Sequence, residues 1–183
     1  MVCDKKRIGL PDLHIVGTEA GHRFEAKRKA YLSPRSVAFA VHGIRLAVHR
    51  MTGEIRILHS VHAADIGRLI NPMQCRGQID GSIGMAFGWA LTENMAHDEK
   101  GAVVNPSLRN YRIPAFADTP ASEVMFADTY DRIGPMGAKA QGECAINPVA
   151  PAIANALMHA TGVRFADLPL TPDRIFGALS AAG

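Results

Sequence analysis

Glu143 closes a run of mostly small residues, Gly134-Pro-Met-Gly-Ala-Lys-Ala-Gln-Gly142, and is followed by Cys144, Ala145 and Ile146. Apart from Met136, Lys139 and Gln141 the run has no large side chain. It reads as a flexible loop that lets another molecule approach the carboxylate closely. Apolar neighbours disfavour the charged form of a carboxyl group, so its pKa is expected to rise. A base tuned toward neutrality can take a proton at cellular pH. The alternative reading of the same residue is a helix-end or surface carboxylate.

Gln78, next to Gly77, is the second residue with useful chemistry. An amide offers a donor and an acceptor together and can pair with the edge of a heterocycle; the alternative is a helix-surface amide. His59, His62 and Asp65 form a metal-like set by composition. On a strand, however, His59 and His62 face opposite sides, so they are read as structural histidines. His42, His49 and His159 have no suitable partner in sequence. Cys75 and Cys144 lack a local activating base and read as buried thiols. There is no complete phosphate-binding loop, dinucleotide fingerprint or serine nucleophile elbow.

These residues need elements to hold them. Val37, Phe39 and Val41 alternate with alanines, and Ile44, Leu46 and Val48 alternate with Arg45, Ala47 and His49. The phase changes at Gly43, which suggests a bulge there. Met51-Thr-Gly-Glu54 supplies a turn, and Ile55, Ile57 and Val61 continue a second strand, giving a hairpin that needs a sheet to join or a helix to cover it. A helix is expected over 74–96. Its wheel gathers Ile79, Ile83, Ala86, Phe87, Ala90 and Leu91 on one side and Gly77, Gly81, Gly84 and Gly88 on the other. Each glycine costs about 1 kcal/mol of helix propensity, so another backbone or a bulky ligand is expected close to that stripe. Burial between two layers is the alternative. Val124, Phe126 and Ala127 suggest a strand. Asn147-Pro148 suggests a helix start with Asn147 as cap, running to about Ala160 and stopping at Thr161-Gly162. Leu170 to Ile175 begins a short terminal helix or turn. Residues 1–35 are poorly patterned, with a turn at Leu10–Asp12 and a short helix over Glu19–Tyr31.

Composition narrows the class. The chain has 183 residues, 48% of them hydrophobic, enough for one ordinary domain or two small lobes. The net charge of +3 is modest. Basic residues cluster at Lys27, Arg28 and Lys29, with Arg23 and Arg35 nearby; a solvated face is favoured over a docking surface for a partner subunit. No nucleic-acid motif or aromatic platform accompanies them. Three scattered cysteines, Cys3, Cys75 and Cys144, argue against a disulfide scaffold and fit a reducing compartment. No apolar signal segment or membrane-length run is present, so a cytoplasmic protein is the default expectation.

Three segments together resemble the xanthine dehydrogenase and aldehyde oxidase family of molybdenum hydroxylases. They are His62-Ala-Ala-Asp-Ile-Gly-Arg-Leu-Ile-Asn-Pro72 leading into Gly77-Gln-Ile-Asp-Gly-Ser-Ile-Gly-Met-Ala-Phe-Gly88; Asn110-Tyr-Arg-Ile-Pro-Ala-Phe-Ala-Asp-Thr-Pro120; and Gly137-Ala-Lys-Ala-Gln-Gly-Glu143 followed by Ala152-Ile-Ala-Asn-Ala156. Their order and spacing are similar to the last part of the molybdopterin-binding subunit, over roughly residues 36–179. The family often has proline after the glutamate, where this chain has Cys144. The resemblance implies an α+β fold, a C-terminal fragment of the molybdopterin-binding domain, with residues 1–35 as a poorly patterned N-terminal segment and 36–179 as a partial molybdopterin-binding domain.

It further implies Glu143 as the catalytic base, Gln78 as the glutamine that hydrogen-bonds the pterin, and Gly77 and Gly142 as close-approach positions for the cofactor. The metal would be held by the pterin dithiolene, with no protein side chain as ligand. The reaction implied is oxidation of an aldehyde or N-heterocycle with water-derived oxygen. Electrons would leave through iron–sulfur clusters, with FAD as an optional addition, in partner chains. The earlier cofactor segments of the family are absent, so the chain is expected to need a complementary molybdenum-domain chain and an electron-transfer subunit. The alternative is a noncatalytic assembly module or an inactive truncated remnant.

Overall fold

Alternation of apolar residues does produce a hairpin, and it organises the larger part of the molecule. The structure is a computed structural model that describes residues 2–3, 6–25, 27 and 35–182. It divides into two units, Met1–Ser33 and Pro34–Gly183.

The first unit holds two short antiparallel strands, β1 (Val2–Cys3) and β2 (Lys6–Arg7), and helix α1 (Leu10–Glu19). The helix lies earlier than expected. Pro11 sits in its first turn, where a missing N–H costs nothing, so Leu10–Asp12 begins a helix instead of a turn. Glu19 ends that helix instead of starting one. Of the helix expected over 19–31, residues 26 and 28–31 lie outside the described residues, as do Arg28 and Lys29 of the basic cluster.

In the second unit β3 (Phe39–Val48) and β4 (Ile55–Asp65) pair antiparallel, and β5 (Glu123–Phe126) pairs parallel to β4, giving the order β3-β4-β5. The connecting turn is closed by the N–H groups of Thr52 and Gly53 donating to the His49 carbonyl. Gly53 adopts φ +72, and a Cβ there would lie 1.9 Å from the Pro172 carbonyl oxygen, so only glycine suits this turn.

The bulge is not at Gly43, which pairs in register with Val61. It lies on β4, where Arg45 pairs with His59 but Leu46 pairs with Ile57, leaving Leu58 unpaired. The extra residue shifts which β4 positions face inward. Ile55 and Ile57 point toward the core before it, and Ser60, His62 and Ala64 after it. Strand β3 keeps one phase throughout, with Ala40, His42, Ile44, Leu46 and Val48 on the more buried face. The apparent phase change arises because Phe39 and Val41 lie on the outer, exposed face.

Helix α2 (Pro72–Phe87) starts with Asn71 as cap, its Oδ1 accepting from the Gln74 N–H at 3.2 Å, and with Pro72 at the first position. It buries Ile79, Ile83, Ala86 and Phe87, the apolar side that the wheel predicts. The α-helix stops at Phe87 and continues as one wide π turn, Gly88–Thr92, so the expected extent to residue 96 is too long.

Helix α3 (Val149–Thr161) ends on Gly162 in the left-handed conformation, as expected. Asn147 does not cap it. A 3-10 turn, Glu143–Ala145, runs through Ile146 into the helix, and Val149 N–H donates to the Ile146 carbonyl, so the start needs no side-chain cap. Helix α4 (Pro172–Ala182) closes the described chain. Ile79, Ile83 and Phe87 of α2, Val149, Ile153 and Leu157 of α3, and Ile175 of α4 share one buried core with Ala64 and the inner face of the sheet. No helix among the described residues is long and apolar enough to cross a membrane.

Candidate active site

The loop before Glu143 is anchored, contrary to its flexible appearance in sequence. Gly67 and Ala138 form an antiparallel bridge. Lys139 N–H donates to the Ile66 carbonyl and Arg68 N–H to the Gly137 carbonyl, each at 2.8 Å. Gly67 permits this approach: it adopts φ +66, and a Cβ there would stand 2.4 Å from the Gly137 carbonyl oxygen. Beneath the bridge the Lys139 ammonium donates to Asp65 Oδ2 at 2.6 Å, with the lysine side chain only 10% exposed. Asp65 Oδ1 accepts from Thr129 Oγ1 at 2.5 Å and from Gly67 N–H at 3.1 Å. The bonds from Lys139 and Thr129 hold the Asp65 carboxyl at about 2, well below its ordinary value.

Glu143 follows as the first residue of the 3-10 turn, and that turn packs against α2. Its side chain is exposed. The expected apolar enclosure is therefore not provided by this chain's own residues. Gly142 is exposed too, and a Cβ there would meet nothing within 4 Å. Gln141, partly buried, accepts from Cys144 Sγ at 3.5 Å through Oε1, while its Nε2 is buried without a partner among the described residues. Cys144 is partly buried, and burial pushes its thiol pKa up, which disfavours a reactive thiolate. Cys75 is likewise only partly buried.

Gln78 is exposed on α2, on the element that the Glu143 turn touches. The structure thus brings the two elements together and records no bond between the two side chains. The glycine stripe divides in two. At Gly77 and Gly81 an added Cβ would meet nothing within 4 Å, whereas at Gly88 it would lie 1.9 Å from Glu93 Oε1. One end is therefore filled by the chain itself and the other is open. Beside the open part lies a cleft of about 620 Å³ between α2 and residues 114–122, lined by Arg76, Asp80, Gly81, Gly84, Pro114 and Ser122 among others.

The histidines sort as structural groups with one unforeseen pairing. His59 Nε2 lies 2.7 Å from Glu123 Oε1 at the surface. His62 is fully buried, and its Nδ1 lies 3.0 Å from Nδ1 of His42. Ser60 Oγ is 3.2 Å from His42 Nε2 and 2.6 Å from Ser122 Oγ. Sequence reasoning missed this network because an unbulged hairpin register sets Val61, not His62, opposite His42. No group of three or more metal-ligating side chains occurs among the described residues.

Comparison with known proteins agrees with the sequence patterns. The family model described as molybdopterin cofactor-binding domain matches residues 13–120, a span that includes Gln78. The chain is 41% identical to the aldehyde oxidoreductase molybdenum-binding subunit PaoC of Escherichia coli (strain K12), over 77% of this chain and 20% of that protein. It is 36% identical to a xanthine dehydrogenase molybdenum-binding subunit of Escherichia coli O157:H7, over 90% of this chain and 22% of the relative. Among solved structures, the aldehyde oxidoreductase from Desulfovibrio gigas superposes with a TM-score of 0.72 at 28% identity, over 78% of this chain and 15% of that one. Quinoline 2-oxidoreductase from Pseudomonas putida 86 gives 0.67 at 33% identity, over 74% and 18%. The chain spans about a fifth of the length of these curated relatives.

Proposed function

The chain belongs to the molybdopterin cofactor-binding family that includes the molybdenum-binding subunits of xanthine dehydrogenase and aldehyde oxidoreductase, and from that membership we propose that it forms the Glu143-bearing wall of a molybdenum hydroxylase active site. The observation that carries this reading is the placement of Glu143. An exposed carboxylate stands at the end of an anchored loop, on a turn packed against the helix whose glycine face is open at Gly77 and Gly81.

The residues present fit a molybdopterin-type cofactor. Gly77 and Gly81 leave room that a Cβ would occupy. The exposed Gln78 amide can both donate to and accept from a pterin edge. When bound, the cofactor supplies the two-electron chemistry of the oxidation.

The chain's own contributions are positional and acid–base. Gln78 orients the heterocycle through its amide, and Gly77 and Gly142 permit close approach. A Glu143 carboxylate oxygen accepts the proton released as water-derived oxygen is transferred to the substrate. The substrate on this reading is an aldehyde or an N-heterocycle. The remaining walls of the pocket come from further molybdenum-domain polypeptide, which also supplies the apolar enclosure that Glu143 lacks here. Electrons pass to an iron–sulfur partner subunit.

Replacing Glu143 by glutamine in the assembled enzyme, with molybdenum content matched to the parent, tests the assignment. Hydroxylation should fall by about 10²- to 10⁴-fold, the usual worth of a general base. Undiminished turnover would remove Glu143 from the chemistry.

A further inference from the structure

We propose that Asp65, Lys139 and Thr129 are positioning residues for Glu143, acting together as an ionic clamp on the loop that carries it. The inference rests on the reading of Glu143 as the base and adds the device that holds the base in place.

The argument begins with connectivity. Lys139 precedes Glu143 by one short stretch, Ala140-Gln141-Gly142, in which Gln141 is the one large side chain. Gly142 has no neighbour that an added Cβ would touch, and the Glu143 side chain is exposed. Within the stretch only Gln141 is partly buried, and its one recorded side-chain bond is the long contact from Cys144 Sγ, so the position of the carboxylate depends chiefly on the anchors at the two ends. On the far side the anchor is Ala145, fully buried in the core. On the near side it is Lys139.

The near anchor is more than a backbone bridge. The Lys139 ammonium is almost fully covered and ends on Asp65 Oδ2 at 2.6 Å. It also lies 5.3 Å from the centre of the Phe39 ring, within cation–π range. Thr129 donates to the other carboxylate oxygen, and Gly67 N–H joins it there, so both oxygens of Asp65 are held. Asp65 itself ends β4, in the middle of the sheet. The clamp therefore ties the Glu143 loop to the end of the one described strand of the second unit that is paired on both sides. A charge pair with this little solvent around it is costly to break from one side. That property suits a part whose task is to keep one geometry.

The test uses the assembled holoenzyme, with Lys139→Met, Lys139→Arg, Asp65→Asn and Thr129→Val compared with Glu143→Gln. Turnover, KM and molybdenum content are measured, together with hydrogen–deuterium exchange of the peptide covering residues 137–146. A displacement of about 1 Å in a reacting group can cost about 100-fold. Lys139→Met and Asp65→Asn are therefore expected to lower kcat about 10- to 100-fold with KM and molybdenum unchanged, and to speed exchange in the loop. Lys139→Arg, which keeps the ion pair, should lose far less. Thr129→Val removes one neutral donor and keeps both charges. It should fold even where the charge variants do not, and should show a smaller change in the same direction.

Faster loop exchange with undiminished kcat, or equal losses in Lys139→Met and Lys139→Arg, would overturn the proposal while a low-activity Glu143→Gln left the base intact. Full activity in Glu143→Gln would instead overturn the base assignment, and the clamp would then have no base to position.

Discussion

His42 and His62 stand directly opposite each other on neighbouring strands, their Nδ1 atoms 3.0 Å apart inside the core. One ring must donate and the other accept, so the accepting imidazole must be uncharged and the contact cannot survive protonation of both. Burial, and then the neighbouring His62, hold His42 at about 4, and burial lowers His62 as well. A base whose folded pKa is depressed leaves the unfolded chain binding more protons as pH falls. Stability should therefore decline from about pH 6.5 down to about pH 4. The urea midpoint measured between pH 7.5 and 4.5 checks this. Replacing His62 by glutamine should flatten the dependence, and a parent midpoint constant over that range would contradict the assignment.

Asp65 sets a second, lower window. Its carboxyl, held at about 2 by Lys139 and Thr129, contributes stability that is fully present above the ordinary aspartate range. That contribution is lost as pH falls toward the folded value. The prediction is local as well as global. Protection of the Lys139 amide, bonded to Ile66, taken relative to its intrinsic exchange rate, should fall between about pH 4 and about pH 2. In Asp65→Asn the acid step should be missing.

The split glycine stripe predicts opposite outcomes for one kind of substitution. Alanine at Gly77 or Gly81 meets nothing in the chain and should stabilise α2 by about 1 kcal/mol each. On the proposed function the same changes should lower molybdenum occupancy, because they fill the cofactor's side of the helix. Alanine at Gly88 should destabilise, since it drives into Glu93, whose carboxylate accepts from the Tyr111 hydroxyl at 2.6 Å. Melting temperature and molybdenum content together read all three. Higher stability with unchanged metal at Gly77 and Gly81 would mean that this face does not receive the cofactor.

Two further substitutions test the frame. Ile153→Ala, at a fully buried α3 position, should cost about 2–5 kcal/mol, read by urea unfolding. Gly53→Ala and Gly162→Ala both force alanine into positive φ, a penalty of about 1–2 kcal/mol. Only the Gly53 variant also meets another element, the start of α4. The excess cost of Gly53→Ala over Gly162→Ala therefore measures the docking of the hairpin turn on that helix.

The hairpin, the buried side of α2 and the left-handed end of α3 could all be read from residue order, because each follows from a local period or a turn residue. The missed features depend on contacts distant in sequence. Leu58 looks like any strand leucine, and only pairing with β3 reveals it as the unpaired residue that turns His62 inward. Lys139 looks like a surface lysine in a loose loop until Asp65, from another element, covers it. Asn71-Pro72 and Asn147-Pro148 are the same dipeptide, yet only the first works as a cap. The second is pre-empted by the turn that carries Glu143. The enclosure expected around Glu143 failed for a related reason: a neighbour in sequence is not a neighbour in space.

Because β5 lies parallel to β4, residues 66–122 must close as one long loop before the third strand can add. Hairpin formation takes on the order of microseconds, whereas distant pairings of this kind are slow. During biosynthesis the two-stranded ribbon can therefore exist well before the sheet is complete, with Ser60 and His42 waiting for Ser122 to arrive. A ribosome stalled ahead of Glu123 would release polypeptide bearing α2 but no finished sheet, a species for chaperones rather than for cofactor insertion.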